Sequence, residues 1–361
     1  MRMKKFTLYD RKAILSNPAS LHGYFGWPTV ARLKNGDLAA VASGFRVEHV
    51  CPFGKTVLAR SKNEGKTWSL PTPIIDTPLD DRDGGILAFG ESSLLVTSFN
   101  NCPEYQKYYM DICRRNRWLS ENLRAYCDAM SNFVFRDGRA EDFWGATYRV
   151  SHDNGVTWSE IYKSPVTSPH GPMLHEGKIL WVGTTVSDGL RPAKVKELQC
   201  WEMDGKGGMT YLSSLPNVKG QTSCEPHAIS LPDGRILVHI RMEPDFATWQ
   251  TESRDGGLTW SIPYRVHEEK SGAPAHLFLH SKGRLFSTVG YRTRPDSGIR
   301  AFYSDDMGKT WEYAVLTDGL DHWDVGYPSV TELADGRLYL VWYENQGKGS
   351  LVYGAAFDPY E

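Results

Sequence analysis

The sequence predicts an all-β chain and, within that class, a six-bladed β-propeller with a helical insertion in the second blade. Three observations carry this: six hairpin-sized repeats along 361 residues, four copies of one eight-residue turn, and a composition with 12 Trp, 18 Tyr and 34 Gly. Aromatic side chains suit pleated, half-buried surfaces, and glycine supplies the backbone angles of tight turns.

The repeats align by eye. "WPTVARLKNGDLAAVASGFR" (27–46), "EPHAISLPDGRILVHIR" (225–241), "APAHLFLHSKGRLFSTVGYR" (273–292) and "YPSVTELADGRLYLVWYE" (327–344) each read as a short apolar strand, a turn and a second apolar strand. "SPHGPMLHEGKILWVGTT" (168–185) fits well and "DGGILAFGESSLLVTSF" (83–99) loosely. Asn-Gly and Asp-Gly in these turns predict two-residue hairpins with positive φ at both central residues.

In four of the six units a third strand follows and then the repeated turn: "SKNEGKTWS" from Ser61, "SHDNGVTWS" from Ser151, "SRDGGLTWS" from Ser253 and "SDDMGKTWE" from Ser304. Each unit therefore reads as strands A, B, C, turn, D, and four-stranded units repeated radially make a propeller. The third unit has only a degenerate turn, "WEMDGKGGMTY" (201–211), and the sixth ends after strand C at "GSLVYGAAF" (349–357). Residues 4–15, "KKFTLYDRKAIL", are expected to supply its outer strand, which makes 1–361 one closed domain.

Composition excludes several partners. With 41 basic against 43 acidic side chains there is no long-range field of one sign, so neither nucleic acid nor an anionic membrane is expected. No apolar run reaches the length of a signal peptide or a membrane span, which places the chain as it stands in the cytoplasm; removal of a leader would instead mean the periplasm or secretion. The six Cys have no CxxC spacing and no His-rich companion segment, so free thiols are expected, with no metal and no cofactor. Oligomeric state has no signal in the sequence.

One segment breaks the repeat. Residues 101–143 lie in the B–C loop of the second unit and show helical spacing at Tyr109, Ile112, Leu119, Leu123, Tyr126 and Met130. Long structured loops are usually functional, which suggests a lid; a shielding patch or a dimer contact is the alternative.

Strand direction sorts the loops into two faces. A–B turns and the repeated turns share one end, so A-strand starts, B-strand ends and B–C loops share the other. That second end gathers Trp27, Asp83, Glu225 and Tyr327 with His170 and His227 just behind, Arg46, Arg241, Arg292 and Glu344 at B-strand ends, and His49 in the first B–C loop. Such a funnel of carboxylates, a tyrosine, histidines and arginines exceeds what folding requires, because buried charge is costly unless paired. Each residue also has a plainer reading: Asp83 as a turn brace, Glu225 with Arg241 as a structural ion pair, Tyr327 as packed aromatic surface, the histidines as satisfied core groups.

The Ser-x-Asp-x-Gly-x-Thr-Trp turns resemble the Asp-boxes of the sialidase superfamily, and the six hairpins resemble its six-bladed propeller over essentially the whole chain. The resemblance implies a glycoside hydrolase whose tyrosine nucleophile is activated by a glutamate, with an aspartate acid/base and three arginines on the substrate carboxylate. Tyr327 in "GYPSV" matches the nucleophile, Glu225 in "CEPHAI" the glutamate, Arg241 one clamp arginine and Glu344 in "WYE" an acidic residue ending the last B strand. Two positions depart: "FGWP" puts Gly26 and Trp27 where Phe-Arg-Ile-Pro would stand, and "FRVEHVCPFGK" (45–55) offers Arg46, Glu48 and His49 in place of the acid/base aspartate. Arg46, Arg241 and Arg292 are then candidates to hold an anion, with His227 and Trp27 as further substrate contacts, and Asp83, His49 and His170 are candidates for proton transfer. The resulting expectation is an exo-acting hydrolase of a terminal, acidic sugar. A non-catalytic carbohydrate-binding propeller and a uronate-polysaccharide lyase are the alternatives.

Overall fold

Each full-length hairpin repeat folds as an antiparallel pair: Tyr24–Arg32 with Leu38–Arg46, Thr222–Ser230 with Ile236–Glu243, Gly272–Leu279 with Leu285–Tyr291, and Val325–Glu332 with Leu338–Asn345. The computed structural model describes residues 4–115, 121–136, 142–186, 197–270, 272–347 and 349–361. Third and fourth strands extend the pairs, as Ala247–Ser253 and Tyr264–Lys270 do beside Ile236–Glu243, and the whole is an all-β propeller. In an eight-stranded sheet, Ser350–Phe357 meets Tyr24–Arg32 through one parallel pair, Ser350 with Tyr24.

The hairpin turns differ from expectation. Gly36 N–H donates to the Leu33 carbonyl and Leu33 N–H to that of Asp37, with positive φ at Gly36 alone (90°). This is a type I turn followed by a glycine bulge, a three-residue connection rather than a two-residue one. The same pattern recurs at Gly234, Gly283 and Gly336. Only Glu176-Gly177, with φ of 48° and 81°, forms the expected two-residue loop, between His175 and Lys178.

The four repeated turns are built alike. The Ser hydroxyl accepts from the Gly N–H (2.9, 2.7, 2.9 and 2.8 Å at Gly65, Gly155, Gly257 and Gly308). The Asn or Asp side chain accepts from the Thr N–H at 2.8 to 2.9 Å. The tryptophans lock onto neighbouring strands: Trp68 Nε1 donates to Tyr339 Oη, Trp260 to Ser213 Oγ and Trp311 to Gln250 Oε1. The third and fourth boxes thus staple one sheet to the next, and the first ties the two outer parts of the eight-stranded sheet together.

A pH dependence follows. Hydrogen bonds from Thr157 hold the Asp153 carboxyl below its ordinary range; burial pushes Asp306 up, but bonds from Thr310 and Ser304 win and bring it down to about 2. Groups depressed in the folded state add stability that is present above their unfolded pKa and lost as pH falls through the folded one, here between about pH 4 and pH 2. The first box has Asn63 and cannot titrate. Melting between these pH values should therefore fall less steeply for an Asp153→Asn, Asp255→Asn, Asp306→Asn variant than for the parent; equal slopes would contradict the box origin of acid lability.

Inner strands are joined by side chains. Val30 N–H donates to Ser329 Oγ (3.1 Å), Leu277 N–H to His227 Nδ1 (2.9 Å) and Val330 N–H to His276 Nδ1 (3.4 Å). The first and last hairpins share a core of Tyr24, Trp27, Tyr327, Tyr339 and Tyr343. At the N-terminus, Tyr9–Leu15 pairs antiparallel with Ser350–Phe357, as expected. Lys4–Lys5 instead pairs parallel with Glu312–Leu320 of the neighbouring sheet, because Phe6 is buried among Phe286, Tyr303 and Phe357 there.

Candidate functional site

Four side chains at the heads of inner strands sit on left-handed backbone: Trp27 (φ 55°), Asp83, Glu225 and Tyr327 (48° each). For three of them the pairing register shifts at the same place, between Gly26 and Thr29, Cys224 and His227, and Gly326 and Ser329. A bulge there turns the side chain out of the ladder toward the centre of the ring. Non-glycine residues so held cost roughly 1–3 kcal/mol each and cluster where function requires them.

The bulges bring Tyr327 and Glu225 together across 102 residues: the phenol donates to Glu225 Oε1 at 2.6 Å, and Arg241 Nη1 donates to Oε2 at 2.6 Å. Arg241 Nη2 also holds Glu243, at 2.7 Å. Burial pushes the Glu225 carboxyl up, but Arg241 and the Tyr327 hydroxyl outweigh it and leave it below its ordinary value. Burial, then the charges of Glu225 and Asp83, raise the Tyr327 phenol well above its usual value. The resting pair is therefore a protonated phenol on an ionised carboxylate, which is the starting state for a base-assisted nucleophile.

Asp83 lies beside this pair. Burial first, opposed by Arg82 and reinforced by Glu225, lifts its carboxyl to about 7, so it can carry a proton at neutral pH. Its Oδ1 is buried without a hydrogen-bond partner among the described residues, as are Arg82 Nε, Arg241 Nε and His170 Nε2. Orphaned polar atoms gathered at one place are the groups a ligand or ordered water would meet.

Trp27 forms the floor. The Arg82 and Arg46 guanidinium carbons lie 4.5 and 4.8 Å from its ring centre, and His49 meets it edge-on at 5.0 Å. Arg292 closes the opposite side, 5.6 Å from the Tyr327 ring, with Nε on the Val325 carbonyl and Nη2 on Tyr343 Oη. A Cβ at Gly26 would lie 3.2 Å from the Tyr24 ring, so two tyrosine rings occupy the space into which an arginine there would grow.

Four expected residues are placed otherwise. Arg46 is fully buried and all its N–H groups are engaged: Asp80 takes two, and Ser43 Oγ and the Glu48 and His49 carbonyls take the rest. It braces the loop and has no donor left for a substrate. Glu344 faces away from Tyr327, accepting from Trp342 Nε1 and Arg11, because alternate strand residues face opposite sides and Tyr343 takes the inner one. His227 is a buried neutral acceptor, its pKa brought to about 3 by burial and then His239. His170 is likewise buried, well below its usual pKa, and bonds Thr29 Oγ1 at 3.0 Å beneath the tyrosine.

Other residues of the site escaped sequence reading. Arg82 sits in "DDRDGG" beside Asp83, and Asp324 lies three residues before Tyr327 in "DHWDVGY" with the half-exposed Trp323. Asp324 accepts from Tyr24 Oη (2.7 Å), Tyr343 Oη (2.7 Å), Asn345 Nδ2 (3.0 Å) and His49 Nδ1 (3.1 Å).

Residues 117–340 match the model of a family described as the BNR repeat-like domain. The chain belongs to the BNR repeat-like family. No curated protein sequence matches it. Among solved structures, a protein of unknown function from Dyadobacter fermentans superposes on this BNR repeat-like protein with TM-score 0.75 at 20% identity, over 99% of this chain and 100% of that one. The intramolecular trans-sialidase of Ruminococcus gnavus, solved with oseltamivir carboxylate, gives 0.67 at 14% (97% of each chain). The α-L-arabinanase of Penicillium chrysogenum, solved with arabinobiose, gives 0.64 at 16% (98% and 99%). At these identities the likeness is one of fold, and it places the BNR repeat-like chain among sialidase-like propellers.

The BNR repeat-like chain also carries two helices between Ser93–Asn100 and Gly145–Ser151: α1 (Pro103–Arg115) and α2 (Glu121–Phe135). Leu119 and residues 116–120 and 137–141 of the expected insertion lie outside the described residues. Tyr126 of α2 stacks on Phe53 at 5.0 Å, Cys127 packs against Val47 and Phe53, and Gln106 of α1 accepts from Asp80 N–H. The helices thus back the loop that carries His49. Among the described residues no helix is long and apolar enough to cross a membrane.

Proposed function

We propose that this BNR repeat-like protein is a glycoside hydrolase acting on a terminal sugar, with Tyr327 as nucleophile and Glu225 as its base. The observation that carries the reading is the chain from Tyr327 Oη to Glu225 Oε1 and from Glu225 Oε2 to Arg241, both links 2.6 Å. A phenol of ordinary pKa near 10 is a weak nucleophile at neutral pH, and an ionised carboxylate within hydrogen-bond reach removes that obstacle. As the phenolic oxygen bonds to the anomeric carbon, its proton passes to Glu225, and the glycosidic bond breaks with its electrons leaving on oxygen. Water then attacks the same carbon and gives up a proton to the group that protonated the departing oxygen, the bond to Tyr327 breaks, and the phenolic oxygen takes back its proton from Glu225. Sialidases and an arabinanase sharing the fold support a carbohydrate substrate.

Six blades follow if the eight-stranded sheet is counted as two units that meet at Ser350 and Tyr24, with the helices as an insertion in the separate four-stranded blade that carries Ser93–Asn100 and Gly145–Ser151. In that arrangement the helices narrow the funnel mouth as a lid, which suits an exo-acting enzyme. An acidic substituent would meet Arg82 and Arg292 rather than Arg46. The five cysteines described are buried free thiols, which fits a cytoplasmic setting.

Because the ring of Tyr24 crowds Gly26 and Arg46 is spent on Asp80, sialic acid glycosides should be turned over well below the roughly 1 per second typical of enzymes, whereas a wider panel of aryl glycosides should contain a substrate. Brisk release from a sialic acid reporter would show the clamp arginine to be dispensable. Unsaturated products absorbing in the ultraviolet would favour a lyase, and sugar binding without turnover a lectin-like role.

A further inference from the structure

The hydrolase reading leaves open which group gives a proton to the departing sugar oxygen. Asp83 lies on the nucleophile's side, where its charge acts on Glu225 and Tyr327. His49 lies in the first B–C loop, with its side chain 26% exposed at the rim between Trp27 and Trp323.

Its hydrogen bonds fix its tautomer. Tyr24 Oη is 2.7 Å from Asp324 Oδ2 and 3.1 Å from His49 Nδ1, and it has one proton to give. Asp324 is ionised, its carboxyl held below the ordinary range against burial by His49, Asn345 and Tyr343, so it claims that proton. Nδ1 of His49 must then carry its own hydrogen, donated to Asp324 Oδ1 at 3.1 Å. The lone pair is on Nε2, and since the Nδ1 edge is occupied, the exposed edge is the one carrying Nε2. Arg46, bonded to the Glu48 and His49 carbonyls, holds the backbone in place.

We propose that His49 is the catalytic proton carrier for the leaving oxygen and that Asp324 is the positioning residue that aims it, a dyad standing where the sialidase-like pattern would place an aspartate. The proposal rests on the hydrolase reading. In the first step the Nε2–H bond of the imidazolium breaks, an O–H bond forms on the departing oxygen, and the neutral Nδ1–H tautomer remains. In the second, Nε2 takes a proton from the attacking water, whose oxygen bonds to the anomeric carbon while Tyr327 leaves and recovers its proton from Glu225.

Charged and titratable groups facing the ring are Asp324 and Tyr24 on the Nδ1 side, with Arg82 over the neighbouring Trp27 ring and Arg292 over that of Trp323. Burial lowers the His49 pKa, Asp324 opposes this, and Arg82 and Arg292 add to it. The acid form is therefore lost as pH rises through a value below about 6.5. kcat/KM should accordingly fall on its alkaline side from an optimum in the acid range. Removing the Asp324 charge should shift that limb to still lower pH.

Two readouts test the dyad. On the sugar the enzyme turns over, His49→Ala should lose roughly 100-fold or more on a phenyl glycoside but less than about tenfold on a 2,4-dinitrophenyl glycoside, whose leaving group needs no proton. Asp324→Asn should shift the alkaline limb downward; should that variant not fold, Tyr24→Phe, which removes a donor to Asp324 and so strengthens its hold on the imidazolium, should shift the limb upward. Equal losses on both leaving groups, or a limb that stays in place or moves against the direction expected for its variant, overturn the proposal. Nitrogen NMR of the histidines is independent of turnover: the Nδ1–H tautomer is expected at His49, and an Nε2–H tautomer overturns the dyad even if no glycoside is cleaved, an outcome that by itself would sink the hydrolase reading.

Discussion

Tyr327→Phe and Glu225→Gln are each expected to lower kcat by roughly 1,000-fold or more on whichever glycoside the wild type cleaves, and the melting temperature of Tyr327→Phe should change little. Tyr327→Phe removes one hydroxyl from a site that otherwise stays packed against Trp27 and Tyr343. Glu225→Gln keeps the side-chain shape but removes the charge that Arg241 pairs with, so some loss of stability accompanies the loss of rate. The double variant should be little worse than either single one, because a nucleophile without its base and a base without its nucleophile fail at the same step. If the two residues only held substrate, each change would raise KM and the effects would add. Full kcat in Tyr327→Phe would move the chemistry to Asp83 and His49.

Removal of residues 1–15 should be the most destabilising change outside the site. The deletion strips Tyr9–Leu15 from Ser350–Phe357 and removes the buried Phe6, Ile14 and Leu15. At about 1.5–3 kcal/mol for each buried apolar side chain, the loss approaches the whole stability of many proteins. The ladder of Ser350–Phe357 would also be left with an open edge, a template for aggregation. A fall in melting temperature of roughly 10 °C or more, or insoluble protein, is expected. Phe6→Ala alone should reproduce a substantial part of it, about 3–5 kcal/mol. An unchanged melting curve would mean that the ring closes without this strand.

The repeats made much of this legible. A period of strands and turns is a local property, so the hairpins and the boxes could be read along the chain, and strand direction alone put Tyr327, Glu225 and Arg241 on one face. What strand direction does not give is the side to which a strand-end residue points. Arg46 and Glu344 both end B strands, yet one turns to Asp80 and the other to Arg11, partners 34 and 333 residues away that no spacing discloses. Nor does the sequence mark which histidine a backbone N–H from the next inner strand will claim, which is what makes His227 structural. Asp324 and Arg82 stand in non-repeating loops, and Asp324 is meaningful only once Tyr24, Tyr343, Asn345 and His49 converge on it. The hairpin turns show a smaller version of the same limit: Asx-Gly pairs are compatible with both loop lengths, and the strand register decides.

The most direct test of the tyrosine mechanism is to look for its covalent intermediate. Incubation with a slow fluorinated glycoside of the sugar that the enzyme cleaves, followed by peptide mass mapping, should find one added glycosyl group on the peptide carrying Tyr327, absent in Tyr327→Phe and greatly slowed in Glu225→Gln. A glycosyl group on Glu225 or Asp83 instead, or rapid turnover of ordinary glycosides with an adduct that persists in Tyr327→Phe, would contradict the assignment of Tyr327 as the nucleophile.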